Sequence, residues 1–266
     1  MPYAPHYRPF PRWFTLEGGL EDVVRPAAFP KRILRFRNDR AAAALGLEAL
    51  GDAEWEAAFA RFEPLLCNLR EPLALRYHGH QFGVYNPALG DGRGFLFAQL
   101  RERGTGRLID LGTKGSGQTP WSRGGDGRLT LKGGVREVLA TEMLESMGVP
   151  TSRTLSLFET GEALLRSDEP SPTRSAVLVR AQESHVRFGT FQRLAHHGDV
   201  ARARRLVRYS AEHYFPALDR GASDAALAEA LFAEVVARTA RLAAWWMAAG
   251  FVHGVLNTDN FVITGE

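Results

Sequence analysis

The sequence predicts an α+β chain with a β-rich part first and a helical part after it. Three observations carry this. Between Leu73 and Ser167 short apolar runs alternate with glycine-rich turns, the pattern of strands and hairpins. From Gly198 onward apolar residues recur at helical spacing instead. Within the first part, the run Leu108 to Leu144 places Lys114 at a strand end, then a Gly/Ser/Arg-rich loop, then a helix with Glu137 near its start. A strand lysine, a loop of available backbone N–H groups and a helix glutamate are the parts that hold a polyphosphate.

Composition narrows the class. The chain has 266 residues, enough for one large domain or two small lobes. Its 45% hydrophobic and 24% charged residues are ordinary for a globular protein. A net charge of +3 is too small to argue for nucleic acid. The single cysteine, Cys67, sits in the run PLLCNL and is expected to be a small buried apolar residue. With no disulfide possible within the chain, a reducing cytoplasm is expected. The opening MPYAPHYRPFPRWF is broken by prolines and has no signal-like apolar segment. The most apolar stretch, Leu242 to Val252, is too short to span a bilayer. No nucleic-acid or membrane partner is expected.

Residues 1–37, rich in proline and aromatics, read as an extended arm on the surface. Asn38 is placed to cap a helix ending at Gly46, and Asp52 to cap the next; both read as short and peripheral. The glycines of Gly90-Asp91-Gly92-Arg93-Gly94 permit a tight turn and close approach of an anion, just before the strand run Phe95 to Leu100. The alternative is a hairpin with permissive turn residues. The turn 103–106 leads to a second strand ending at Lys114. A helix over 135–147 follows, with Val135, Val138, Leu139, Met143 and Met147 as its apolar stripe and Glu137 off that stripe, so Glu137 faces either solvent or Lys114. Two short strands, 154–160 and 163–167, turn at Gly161, and 168–173 reads as a loop and lobe boundary. The next strand carries Arg180, with Arg187 beyond it; each offers a donor fork suited to phosphate or an ordinary surface salt bridge. Helices are expected over 200–215 and from Ser223 or Asp224 to about 249, the latter apolar on nearly all faces and therefore buried. This divides the chain into an arm (1–37), a β-rich lobe (38–173) and a helical lobe (174–266).

The stretch Phe251 to Asn260 decides between functional classes. A buried helix, His253-Gly254, then an asparagine before a short apolar strand is the layout of a protein-kinase catalytic loop, H-R-D-x-x-x-x-N. His253 and Asn260 keep the spacing, but Val255 stands where the catalytic aspartate belongs. Valine accepts no proton, so ordinary phosphorylation of a hydroxyl is disfavoured. Asp259, beside Asn260, offers a carboxylate from another place.

Together these motifs resemble the selenoprotein O family of pseudokinases. The matching segments are HGHQFGVYNPALGDGRG (78–94), KGSGQTPWSRGGDGR (114–128), REVLATEML (136–144), VLVRAQESHVRFGTF (177–191) and HGVLNTDN (253–260). The resemblance implies a protein-kinase-like two-lobe fold with a β-rich N-lobe and a helical C-lobe. It implies transfer of AMP from ATP to Tyr, Ser or Thr hydroxyls of proteins, with Mg²⁺ or Mn²⁺. By that resemblance Gly90, Gly92 and Arg93 form the glycine-rich loop, Lys114 binds phosphate and Glu137 is its ion-pair partner. Asp126 and Gly127 lie near the nucleotide, Arg180 and Arg187 fix it in a flipped orientation, Asp259 is the general base and Asn260 a metal ligand. The family continues to a D-Y-G aspartate and a redox-active cysteine or selenocysteine, whereas this sequence ends at Glu266. A truncated, impaired bacterial cytoplasmic enzyme is therefore expected, with exposed apolar surface at the end of the long helix. The alternatives are a non-catalytic ATP-binding module and an authentic kinase transferring the γ-phosphate.

Overall fold

A computed structural model describes residues 2–266 and shows a mixed α+β fold. In chain order its elements are β1 (Glu21–Val23), β2 (Ile33–Arg37), α1 (Asp39–Leu45), α2 (Asp52–Phe59), β3 (Leu73–Leu75), β4 (Gly79–Gln81), β5 (Val84–Asn86), β6 (Leu96–Arg101), β7 (Leu108–Lys114), β8 (Leu129–Thr130), α3 (Leu131–Ser146), β9 (Arg153–Leu164), β10 (Thr173–Gln182), α4 (Phe188–His196), α5 (Val200–His213) and α6 (Asp224–Ala248). The main sheet runs β1-β3-β6-β7-β10-β9-β2, with β8 on β10. Strands β4 and β5 form a separate hairpin.

The first residues are not an arm over the surface. Trp13, Leu16 and Leu20 are buried, and Gln99 Oε1 accepts the backbone N–H groups of Arg12 and Trp13 at 2.7 Å. Strands β1 and β2 then close the two opposite edges of the sheet. Prolines that forbid a helix are compatible with such edges, because an edge strand has backbone groups that need no ladder partner.

Alternation along the strands sorts two layers. Val177, Val179 and Ala181 of β10 join Ile109 and Leu111 of β7 in a core closed by Leu45, Trp55 and Phe59. Helices α1 and α2 are thus central, not peripheral; Asn38 does cap α1, while Gly51 rather than Asp52 is the N-cap of α2. The intervening residues of β10, Ala176 and Leu178, face the other way and pack with Val138 of α3 and Leu157 of β9. A further cluster joins Trp13, Leu75, Leu96 and Leu108 to Leu206, Tyr209 and Phe215 of the helical part.

Several elements differ from expectation for local reasons. Strand β9 passes through Gly161 (φ +79°) without a break, so one strand replaces two. Strand β10 starts at residue 173 and lies between β7 and β9, so the sheet extends beyond the expected boundary. Helix α3 begins four residues early, where Thr130 accepts the N–H of Gly133. Its predicted stripe is mostly outside: Val138 is buried, but Val135, Leu139, Met143 and Met147 are exposed. Helix α4 was not expected, although the Thr190 side chain accepts the Arg187 N–H at its start and Leu194 is buried on its inner face. Helix α6 buries Leu227, Leu231 and Leu242 only, leaving Phe232, Val236, Trp245 and Met247 exposed. Cys67 is exposed, on a left-handed turn (φ +55°), not a core residue. No described helix is long and apolar enough to cross a membrane.

Candidate active site

Strand register builds the first half of the site. Lys114 pairs with Leu178, and Arg180 pairs with Gly112, on adjacent antiparallel strands. Directly opposed residues share a face, so Lys114 and Arg180 stand diagonally on one side of the sheet. Helix α3 packs on that side, held by the Val138 contact, and carries Glu137 to them. Lys114 Nζ donates to Glu137 Oε1, and Arg180 Nη1 lies 3.8 Å from Glu137 Oε2. Glu137 thus turns to Lys114 and not to solvent.

The electrostatics of this cluster favour an added anion. Burial pushes the Lys114 ammonium down to about 8, against the pull of Glu137 and with the help of Arg180 and Arg93. Burial acts to raise the Glu137 carboxyl, but Lys114 and Arg180 outweigh it and hold Glu137 below the usual range. One carboxylate therefore faces three cationic side chains. Arg180 Nε is buried with no hydrogen-bond partner. An orphaned donor beside surplus positive charge fits a polyphosphate.

The glycine loop lies alongside. Gly115 donates to Arg93 O at 2.7 Å, tying residues 90–94 to the end of β7. A Cβ at Gly90 would fall 2.4 Å from the Trp121 ring, so this turn needs glycine for packing. Asp91 is buried; its Oδ2 accepts the N–H of Leu75 at 3.0 Å and its Oδ1 accepts Arg187 Nη2 at 3.2 Å.

Arg187 joins this loop to the second half of the site. Its Nη1 donates to Asp259 O at 2.6 Å, and its guanidinium lies 4.5 Å from the Tyr77 ring centre. Asp259 is buried; its Oδ2 accepts Gln81 Nε2 at 3.1 Å, while Oδ1 is buried without a partner. Asn260 is exposed, its Nδ2 donating to Val255 O at 3.1 Å. Val255 offers no group for proton transfer, and His253 stacks on Trp246 at 5.4 Å.

Two of the sequence-predicted residues stand apart from these clusters. Asp126 pairs with Arg166 at 2.8 Å and accepts the N–H of Arg128, rather than meeting Lys114 or Asp259. Gly127 (φ +68°) closes the loop on itself, its carbonyl accepting Gly117 N–H at 3.1 Å. Conversely Tyr77, Gln81 and Asp91 were not singled out as site residues. Their only sequence signal is adjacency to glycine-rich turns; the contacts themselves arise between distant segments.

A divalent metal is tested by the donors present. Among the described residues no group of three or more His, Cys, Asp or Glu could hold an ion. The exposed Asn260 side-chain carbonyl fits a metal whose remaining ligands are phosphate oxygens and water, as hard cations at nucleotide sites commonly have.

Comparison with known proteins gives the family. Residues 7–266 match the family described as Protein adenylyltransferase SelO. Relatives named Protein nucleotidyltransferase YdiU include one from Synechocystis, 56% identical over 92% of this chain and 51% of its own length. Another, from Gloeobacter violaceus, is 56% identical over 96% of this chain and 52% of its own. A third, from Synechococcus elongatus, is 52% identical over the whole chain and 52% of its own length. The chain thus spans about half the length of these curated relatives. With the family match covering nearly every residue, this chain belongs to the protein adenylyltransferase SelO family.

Proposed function

We propose that this chain carries the nucleotide-binding and proton-accepting part of a protein adenylyltransferase, which moves AMP from ATP to Tyr, Ser or Thr hydroxyls of other proteins. The reading is carried by a cluster with surplus positive charge at Lys114 and Arg180, together with the Asp259 carboxylate that keeps one oxygen unpartnered. Lys114 and Arg180 bind and spread triphosphate charge, Glu137 holds the lysine in place, and the loop around Gly90, Gly92 and Arg93 lies along the phosphates. Arg187 orients the nucleotide beside Asp259. Asp126 and Gly127 shape the loop flanking the nucleotide and do not enter the chemistry.

The acceptor oxygen forms a bond to the α-phosphorus while the bond to pyrophosphate breaks. Its proton goes to Asp259, and pyrophosphate leaves with the electron pair. Asn260 would hold a Mg²⁺ or Mn²⁺ ion, which would supply charge neutralisation to the phosphates. In this reading the sheet and α3 form the N-lobe of a kinase-like fold, and α4 to α6 with the 251–266 loop begin its C-lobe. The protein acts in the bacterial cytoplasm.

Labelling separates the possibilities. The chain is incubated with Mn²⁺ and a protein acceptor, and with ATP labelled at either the α- or the γ-phosphate. Label from α-phosphate alone is the expected result. Label from γ-phosphate would identify a kinase. ATP binding without either label would identify a non-catalytic module.

A further inference from the structure

The loop carrying Asp259 has little backbone support of its own. Residues 251–260 contain no strand. Nearby, only an isolated bridge joins Arg187 to Val262. Backbone bonds to the neighbouring segment are Gly189 N–H to Thr258 O and Phe188 N–H to Phe261 O, both 3.1 Å, with Ile263 N–H to Val186 O at 3.0 Å beyond the loop. A carboxylate that must receive a proton from a defined direction needs more restraint than this.

Arg187 holds the Asp259 carbonyl at 2.6 Å, and restraint on the carboxylate itself comes from the β4–β5 hairpin. Gln81 Nε2 donates to Asp259 Oδ2 at 3.1 Å, and Asn86 Nδ2 donates to Gln81 Oε1 at 3.1 Å. The second bond fixes which end of the Gln81 amide faces Asp259. The backbone of Gly79 lies so close that a Cβ there would come within 2.9 Å of Asp259 Cβ and 3.0 Å of Oδ1. One oxygen is thereby held and the other is left without a partner.

Beside it is a closed ring of hydrogen bonds. His80 N–H donates to Thr258 Oγ1 at 2.8 Å, Thr258 donates to Gln192 Oε1 at 2.7 Å, and Gln192 Nε2 meets His80 Nδ1 at 3.0 Å. Phe82 N–H donates to Asn257 Oδ1 at 3.3 Å. The hairpin is itself fastened to α4. Arg193 meets His78 Nε2 at 3.0 Å, His78 Nδ1 meets Tyr85 Oη at 2.7 Å, and Tyr85 donates to Gln192 O at 3.3 Å. Arginine can only donate, so His78 Nε2 accepts and Nδ1 carries the proton toward Tyr85.

We propose that the β4–β5 hairpin is a clasp for the 257–260 loop and that Gln81 is the positioning residue that aims Asp259. This rests on the adenylyltransferase reading only for the purpose of the aim; the clasp itself rests on the contacts above. The Gln81 amide holds Oδ2, so the buried Oδ1, packed against the Gly79 backbone, is the one carboxylate oxygen left to take a proton. The Gln81 amide bonds to Asp259 and Asn86 and to no member of the Lys114 cluster, so it should govern turnover and not nucleotide affinity.

The test is amide hydrogen exchange at Asn260 and Gly189, followed by NMR in the parent chain, Gln81→Leu and Gln81→Glu. Leucine removes the donor. Glutamate keeps the size and the acceptor for Asn86 but repels Asp259. Both variants are expected to speed exchange at these amides about tenfold or more, the scale of one hydrogen bond to a charged acceptor. Exchange in β6, β7 and β10 should stay unchanged, and ATP affinity measured by calorimetry should stay within about twofold. Where AMP transfer is measured, kcat should fall about 10- to 100-fold with KM for ATP unchanged. Unchanged exchange in the loop, or faster exchange throughout the sheet, would overturn the proposal, as would parent-like behaviour of Gln81→Glu. A parent chain that binds no ATP would defeat the adenylyltransferase reading, while the exchange data would still decide the clasp.

Discussion

The two halves of the site are made in different ways. Lys114 and Arg180 stand on adjacent strands whose register fixes their spacing, and a packed helix delivers Glu137. Asp259 stands on a loop held by side-chain hydrogen bonds and by Arg187. Moving the first half requires slipping a strand, whereas moving the second requires breaking a few hydrogen bonds. The Lys114 half is thus rigid by topology, and the Asp259 half, in the clasp proposed above, is rigid only while the hairpin contacts hold.

The largest expected effect falls on Asp259. Asp259→Asn should lower AMP transfer by about a thousandfold or more, as loss of a general base does. Single-turnover rates would check this, and a loss below about tenfold would remove Asp259 from the chemistry. In the other half, Glu137→Gln leaves Lys114 without its carboxylate. Since a quarter of each side chain is exposed, the stability cost should be about 1–3 kcal/mol, read by urea titration. An unchanged midpoint would mean that the ion pair is incidental.

A pH series sharpens the contrast. The Lys114 ammonium, pushed down to about 8 by burial, must be protonated to bind phosphate. Above pH 8 the empty site holds a neutral lysine, so nucleotide binding takes up a proton. Affinity should fall as pH rises from about 8 toward 10.5, by at most about tenfold per unit. Lys114→Arg should abolish that slope, and a flat parent profile would contradict it.

The smallest effect concerns the clasp. Burial, with Arg193 and the rings of His196 and His197 close by, pushes His78 down to about 4. The folded state therefore resists protonating His78. Its stabilising contribution should be complete above about pH 6.5 and fade as pH falls toward 4. Thermal melts of the parent and His78→Gln across that range would show the difference, and parallel profiles would rule it out.

The elements of the Lys114 half were legible in the sequence as local patterns, while the pairing of Glu137 with Lys114 stayed open and their roles rested on the family resemblance. A strand ending in Lys114 and a helix bearing Glu137 are periodic patterns, and the spacing of Arg180 and Arg187 survives any placement of the strand. Residues 1–37 were misread because prolines and aromatics look the same on an arm and on a sheet edge. Trp13 is buried by residues far along the chain, Leu96, Leu108 and Tyr209 among them, with its backbone N–H on Gln99. The stripe Val135, Leu139 and Met143 obeys helical periodicity yet faces outward, since periodicity says that a face is apolar and not what covers it. Gln81 was invisible for a related reason: its partner Asp259 lies 178 residues away, joined by no repeating pattern.

The central claim is that nucleotide affinity resides in the Lys114 half and proton transfer in the Asp259 half. The most direct test is calorimetric binding of ATP with Mn²⁺ by the parent chain, Lys114→Ala and Asp259→Asn. The parent should bind, Lys114→Ala should lose about tenfold or more, and Asp259→Asn should stay within a few-fold. Equal losses in both variants, or an unaltered Lys114→Ala, would contradict the division of labour.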